Sequence, residues 1–493
     1  MSPLPTDSKM SWPPPAADSG DIACWSAWYS GSAAELAVHG TSPSSADRTS
    51  RLLGGFWRKR QTATPDINQV RVVHVPAAAE IAAVSADLLF GDTPGLKCSD
   101  EVAQARLEDL IDESAMQNVL LEGAEVCAGL GGVYLRTSWD REVSDAPFLT
   151  VVHADHAVPE FRYGILRAVT FWETLESGAK NVTWRHLERH EQGGILHGLY
   201  RGTATSLGVS IPLENSPQTE GLLPSYALPA GLPRPFLVSY VPNVRPSRTN
   251  RRSPLGRSDY AGAEGLLEAL DETYSSWMRD IELGKARILV PRGALDPGKR
   301  GGGRGAGKTF DLDRAVFTEL QLDPSSPGST ITANQFAIRA ADHAATAMDL
   351  LEKIVSSAGY SPQSFGIRIE GRAESGTALR FRMDRTIHTV ARKQRYFAPA
   401  ITDQCENLLA VDALVLEHSD TRVDRPKITW WEESQGPLEL AQTLDLLARA
   451  EAMSIETRVR MAQPGLDDDK VKEEVARIQN DAGSLMPLPP TMP

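Results

Sequence analysis

From Ile67 onward, apolar residues recur three and four positions apart, first in VPAAAEIAAVSADLLFG and then through Leu107, Leu110, Ile111, Leu120, Leu121 and Ala124. That period sets them on one helical face, so two helices are predicted, broken by the turn-rich GDTPG at 91–95. Between Gly132 and about Tyr240 the period falls to two, in VYLRTSW, FLTVVHA, LRAVTFWETL, NVTWRHLERHE, ILHGLYR and PFLVSYV, and an antiparallel sheet of hairpins is predicted. The Pro- and Arg-rich PNVRPSRTNRRSPLGRSDY at 242–260 reads as a linker or extended arm.

Three longer helical patterns come next. Leu266, Leu270, Tyr274, Trp277 and Ile281 form a single stripe, with Asp259 placed to cap its start. Ile338, Ala341, Ala345, Met348, Leu351 and Val355 form a second stripe over 335–357. After a turn at AGYSP, a third runs from about Thr377 to Leu416 through Met383, Ile387, Phe397, Ile401 and Leu408, with a kink expected at Pro399. A strand-like KITWWEES then leads to a final helical region over 438–482. The order of elements is that of an α+β protein.

Composition changes this picture at the ends of the chain. MSPLPTDSKMSWPPPAADSG and GSLMPLPPTMP are rich in Pro and Ser with little to bury, so disordered tails are expected at 1–21 and 483–493. No basic-then-apolar leader opens the sequence and no apolar run reaches spanning length, which predicts a soluble chain without a secretion signal or membrane partner. The four cysteines lie far apart and read as free thiols in a reducing compartment.

The net charge of −13 argues against a general nucleic-acid coat, but the charge is unevenly spread. Between Gly366 and Tyr396 eight Lys or Arg face three acids, a local +5 that leaves −18 for the rest.

Candidate chemistry centres on GGGRGAGKTF, 301–310, a formal match to the phosphate-loop pattern ending in Lys308 and Thr309. A working loop needs a strand delivering the chain to the glycines and a helix starting at the Lys-Thr pair. Here PRGALDPGKRG separates the loop from Ile288–Val290, and DPSSPGST soon interrupts the downstream run TFDLDRAVFTEL. A flexible basic loop is therefore the better reading and an ATP-hydrolysing DNA translocase the alternative. LLAVD (408–412) has the form of a magnesium-binding strand, yet it sits in a helical pattern where Asp412 reads as a solvated helix residue.

Among the histidines, His186 and His190 could pair on a metal, on one strand face with Glu188, but spacing assigns no third ligand and a solvent-facing polar hairpin is preferred. No nucleophile elbow or apolar carboxylate pair is present, so neither catalysis nor a cofactor is predicted.

The words WSAWYSG (25–31), SADLLFGDTP (85–94), GGVYLRTSWD (131–140), LGRSDYAG (255–262), LDETYSSWMRDIELGKARILVP (270–291), AGYSPQSFG (358–366) and ESGTALRFR (374–382) make the chain resemble the portal proteins of tailed bacteriophages, especially those of phages infecting actinobacteria. The resemblance implies a subunit of a homo-dodecameric ring at one capsid vertex. Double-stranded DNA would be pumped through it by the terminase large subunit and leave through it later.

It also implies a wing (22–258, with the long helix and strand of 376–436), stem helices (259–287 and 335–358), a clip (288–334), a tunnel loop (359–375) and a crown (437–482). On that mapping Arg368, Arg372, Arg380 and Arg382 face the channel or pair with a neighbouring subunit. Arg292, Lys299, Arg300, Arg304 and Lys308 of the clip meet the terminase or a head-completion adaptor. Major capsid and scaffold proteins would be further partners. The expected location is the virion, and the host cytoplasm during assembly.

Overall fold

The computed structural model describes residues 4–15, 18–39, 73–175, 181–284, 287–291, 317–320, 332–334, 338–367, 376–418, 420–430, 444–450, 452–463 and 468–484. The chain divides into two compact units, 1–429 and 430–493.

In the first unit, α1 (Ser19–Ser30) buries Trp25 and Trp28, α2 is Ala33–His39, and α3 (Ala77–Phe90) buries its alanine-rich face around Ile81 and Leu89. The strand β1 (Gly95–Lys97) comes after α3. Helix α4 (Glu101–Glu113) starts where the Asp100 carboxylate accepts the amides of Val102 and Ala103, satisfying two donors that the helix leaves free. Helix α5 (Met116–Leu130) stops at Gly131 in the left-handed region (φ 85°). A Cβ there would also lie 2.9 Å from the Arg257 carbonyl carbon, so only glycine fits this close approach.

The predicted sheet region forms two sheets. Strand β2 (Gly132–Ser138) lies between β3 (Phe148–His153) and β10 (Val238–Pro242). The larger sheet runs β4 (Ala157–Arg162), β5 (Ile165–Leu175), β6 (Thr183–Glu191), β7 (Gly194–Gly202) and β8 (Val209–Ile211), with β9 (Ser225–Ala227) also on β7, all antiparallel.

Residues 4–15, expected within a disordered tail, instead lie on this sheet. Trp12 is buried with Leu187, Tyr200 and Leu207, and Leu4 and Met10 pack beside them. The Leu207 amide donates to the Met10 carbonyl, and the Tyr200 hydroxyl to that of Pro5. One large apolar side chain with ordered backbone partners outweighs the surrounding Pro and Ser content.

The segment 243–263 is likewise no linker. Asn243, Ser247, Ser253, Ser258, Asp259 and Tyr260 are buried, and the Asp259 amide donates to Ala128 of α5. It leads into α6 (Glu264–Leu283), which pairs with α7 (Ala340–Ala358). A three-stranded sheet stands between them in sequence, with β11 (Arg287–Pro291) parallel to β12 (Phe317–Leu320) and antiparallel to β13 (Thr332–Asn334). Helix α8 (Gly376–Leu414) is continuous with Pro399 in its interior. Strand β14 (Lys427–Thr429) then closes back on β1.

The second unit contains α9 (Ile455–Ala462), capped by Ser454, and α10 (Asp468–Ser484), whose Arg477 pairs with Glu473. It begins before the expected crown boundary at 437, and residues 431–443 lie outside the described residues.

Candidate functional site

The elements converge on a buried charge cluster. The Lys393 ammonium of α8 lies 2.6 Å from the Asp259 carboxylate, with the two side chains 2% and 0% exposed. That carboxylate also accepts the Tyr360 hydroxyl at 2.8 Å and the Asn243 amide at 2.9 Å. Both Lys393 and Tyr360 bond Ser85 of α3 as well, and the Lys393 nitrogen sits 5.7 Å above the Tyr360 ring. A buried ion pair holds only when its remaining hydrogen-bonding capacity is met, and here Tyr360, Asn243 and Ser85 meet it.

Burial and the neighbouring Asp259 charge push the Tyr360 phenol well above its ordinary value, so it stays a donor. The cluster ties α3, the entry to α6, the exit from α7 and the middle of α8 together. Asp259 is therefore no helix cap, since α6 begins after Ala263 without a side-chain cap. Around it, Trp25, Trp28, Tyr260, Leu267, Leu270, Ile354, Val355 and Tyr360 form one core.

Beside this cluster opens a cleft of about 590 Å³, walled by Arg248 and Arg257 from the 243–263 segment, residues 357–359, and Asp384, Arg385, His388, Thr389 and Arg392 of α8. Asp384 is the only acid among the described residues of these walls and lies 3.5 Å from His388. Burial lowers the Arg257 guanidinium below its ordinary value, and the charges of Arg248 and Arg392 lower it further.

The predicted clip residues Arg292, Lys299, Arg300, Arg304 and Lys308, with the whole GGGRGAGKTF stretch, lie outside the described residues. Phe317, close after Thr309, is already in a strand rather than in the long helix that a phosphate loop opens. Arg368 and Arg372 also lie outside the described residues, while Arg380 and Arg382 fall in the first turns of α8, their side chains undescribed. The structure does bring together a part of the basic segment not singled out from sequence, Arg385 and Arg392, with two arginines from the supposed linker. The excess of charge over 366–396 was the available signal.

The histidines are not a solvent-facing hairpin. His186 and His190 are buried on β6, and the His186 ring stacks on His197 at 5.3 Å. Glu188 pairs with Arg136 at 2.6 Å and accepts from His190. Asp412 is not solvated either: it is 0% exposed and binds Arg106 at 2.9 Å, with His418 and Thr421. The grouping that could hold a metal ion among the described residues is His153, Asp155 and His156, whose ligand atoms lie within 4.8 Å of one another.

The pattern of the family described as "Phage portal protein, SPP1 Gp6-like" matches residues 234–485, which includes α6, α7, α8 and most of the cluster. The chain belongs to this family. Its role is that of a portal protein at a capsid vertex.

Among solved structures, the chain is similar to a component of the virion of a native gene transfer agent particle, at 14% identity over 80% of this chain and 91% of that one, with a TM-score of 0.38. It is similar also to one from the neck of a native particle computed with C12 symmetry, at 13% identity, 87% and 95% coverage and a TM-score of 0.40. A third comes from the neck of an empty particle computed with C6 symmetry, at 14% identity, 80% and 92% coverage and 0.39. No curated protein matches the sequence.

Proposed function

We propose that the chain is one subunit of a dodecameric ring whose central channel carries double-stranded DNA, pumped in by a terminase large subunit and later released through an attached head-completion adaptor. In this reading α6 and α7 are the stem, the 288–334 segment the clip, 359–375 the tunnel loop, and 437–482 the crown. The chain acts without catalysis, as a scaffold for a motor that docks on its clip through Arg292, Lys299, Arg300, Arg304 and Lys308. Arg368, Arg372, Arg380 and Arg382 line the channel. A portal must touch a polyanion without holding it, since each neutralised phosphate adds to a salt-dependent grip, and an acidic subunit with a few channel arginines meets that demand.

The observation that carries the ring is the far half of the α6–α7 hairpin. Its start is packed into the core at Leu267, Leu270, Ile354 and Val355, but Met278, Ile281, Ile338 and Met348 remain 39–44% exposed. An apolar stripe half covered within its own chain is suited to continue against a neighbouring copy. Electron microscopy of the purified full-length chain tests this. Rings with a central hole are expected, in which Met278→Glu/Met348→Glu reduces the ring fraction; a chain that stays monomeric at micromolar concentration would sink the reading.

A further inference from the structure

Four arginines line the cleft beside the Lys393–Asp259 pair, and among the described residues none of Arg248, Arg257, Arg385 and Arg392 has an acid within ion-pair distance. The one acid among the described wall residues, Asp384, faces His388. The Arg257 Nε is buried and has no hydrogen-bond acceptor among the described residues. Arg248 and Arg392 repel the Arg257 charge, and a buried donor without a partner is costly, so the cleft favours an anion.

We propose that the cleft receives a carboxylate-bearing segment from a second copy of this chain, an inference that rests on the ring reading above. Two observations select this occupant. Arg248, Arg385 and Arg392 are exposed, but Arg257 is half-buried with its Nε enclosed. A DNA duplex presents a broad convex backbone that can touch the three outer arginines, whereas a single Asp or Glu on its narrow stem can also reach the fourth. The chain supplies such groups in excess, with 64 Asp and Glu against 51 Lys and Arg. Planar guanidinium forks bind carboxylates through two parallel hydrogen bonds, which suits a contact that fixes the register between subunits.

The cleft is tested on the full chain with Arg392→Lys, which keeps the charge and supplies an amine for zero-length carbodiimide coupling. Rings assembled from mixed unlabelled and nitrogen-15-labelled chains should yield a hybrid-mass peptide joining position 392 to an Asp or Glu. In parallel, Arg257→Ala/Arg392→Ala, with an unchanged circular-dichroism spectrum, should lower the salt concentration at which rings dissociate by about twofold. Cross-links confined to single-label peptides together with an unchanged dissociation point would overturn the proposal. So would a double variant whose rings keep their salt resistance but retain less DNA, which would assign the cleft to nucleic acid. If the unmodified chain forms no rings at any salt, the ring reading itself fails and takes the inference with it.

Discussion

Lys393 and Arg392 are consecutive on α8, roughly 100° apart around its axis, and one is sealed against Asp259 while the other opens into a cleft without an acid partner. The difference comes from solvent. A charge taken out of water must find its counter-charge inside the same chain before that chain can fold, so Lys393 has three neighbours drawn from distant segments, Asp259, Ser85 and the Tyr360 ring. A charge left at a cleft mouth is hydrated in the free subunit, and its partner can belong to another molecule. Intrachain satisfaction marks what holds the fold, and its lack marks where the fold meets something else.

The buried side of the comparison breaks hardest. Lys393→Met leaves the Asp259 carboxylate enclosed with only Tyr360 and Asn243, and should destabilise the first unit by about 3–5 kcal/mol, read as a shift in the urea midpoint. Adding Asp259→Asn removes the stranded charge and should restore part of the loss, because contacting sites are not additive. A single variant that unfolds at the wild-type midpoint would show that the pair does not hold the four elements together.

That cluster also shows what the sequence could not convey. The stripes of α6, α7 and α8 and the alternation in β2, β3 and β5 to β7 are local properties, and they were legible. Asp259 looked like a cap and Asp412 like a solvated residue because Lys393 and Arg106, which define them, lie far away in sequence. The words that carry the family likeness nonetheless included Ser85, Asp259 and Tyr360. They are joined here by hydrogen bonds, so the likeness tracked a structural junction rather than a reactive site. Residues 4–15 were misread for a related reason: tail-like composition averages over positions, whereas Trp12, with Leu4 and Met10 beside it, finds a pocket.

A second buried network responds to pH rather than to mutation alone. Burial lowers the His197 imidazole from its ordinary 6.5 to about 4. Burial opposes the Glu188 charge, but Arg136 and His190 outweigh it and hold that carboxyl well below its usual range. Both groups take up protons more readily when unfolded, so acidification removes stability, first between pH 6.5 and about 4 through His197 and then at lower pH through Glu188. The thermal midpoint of the wild type should fall across the first window, and His197→Gln should flatten that fall. Parallel slopes for the two proteins would place the acid sensitivity elsewhere.

The smallest effect belongs to the exposed side of the comparison. In the dissociated subunit Arg392 meets Arg248 and Arg257 but no acid within ion-pair distance among the described residues, so Arg392→Gln removes repulsion and a hydrated charge together. Its stability should stay within about 0.5 kcal/mol of wild type by urea denaturation, and any change should be an increase. Against the loss expected from Lys393→Met one position along the helix, that near-neutrality would separate a residue the fold requires from one that is free to serve an interface. A loss of several kcal/mol would mean that Arg392 is already satisfied within its own chain, and the contrast between the two positions would disappear.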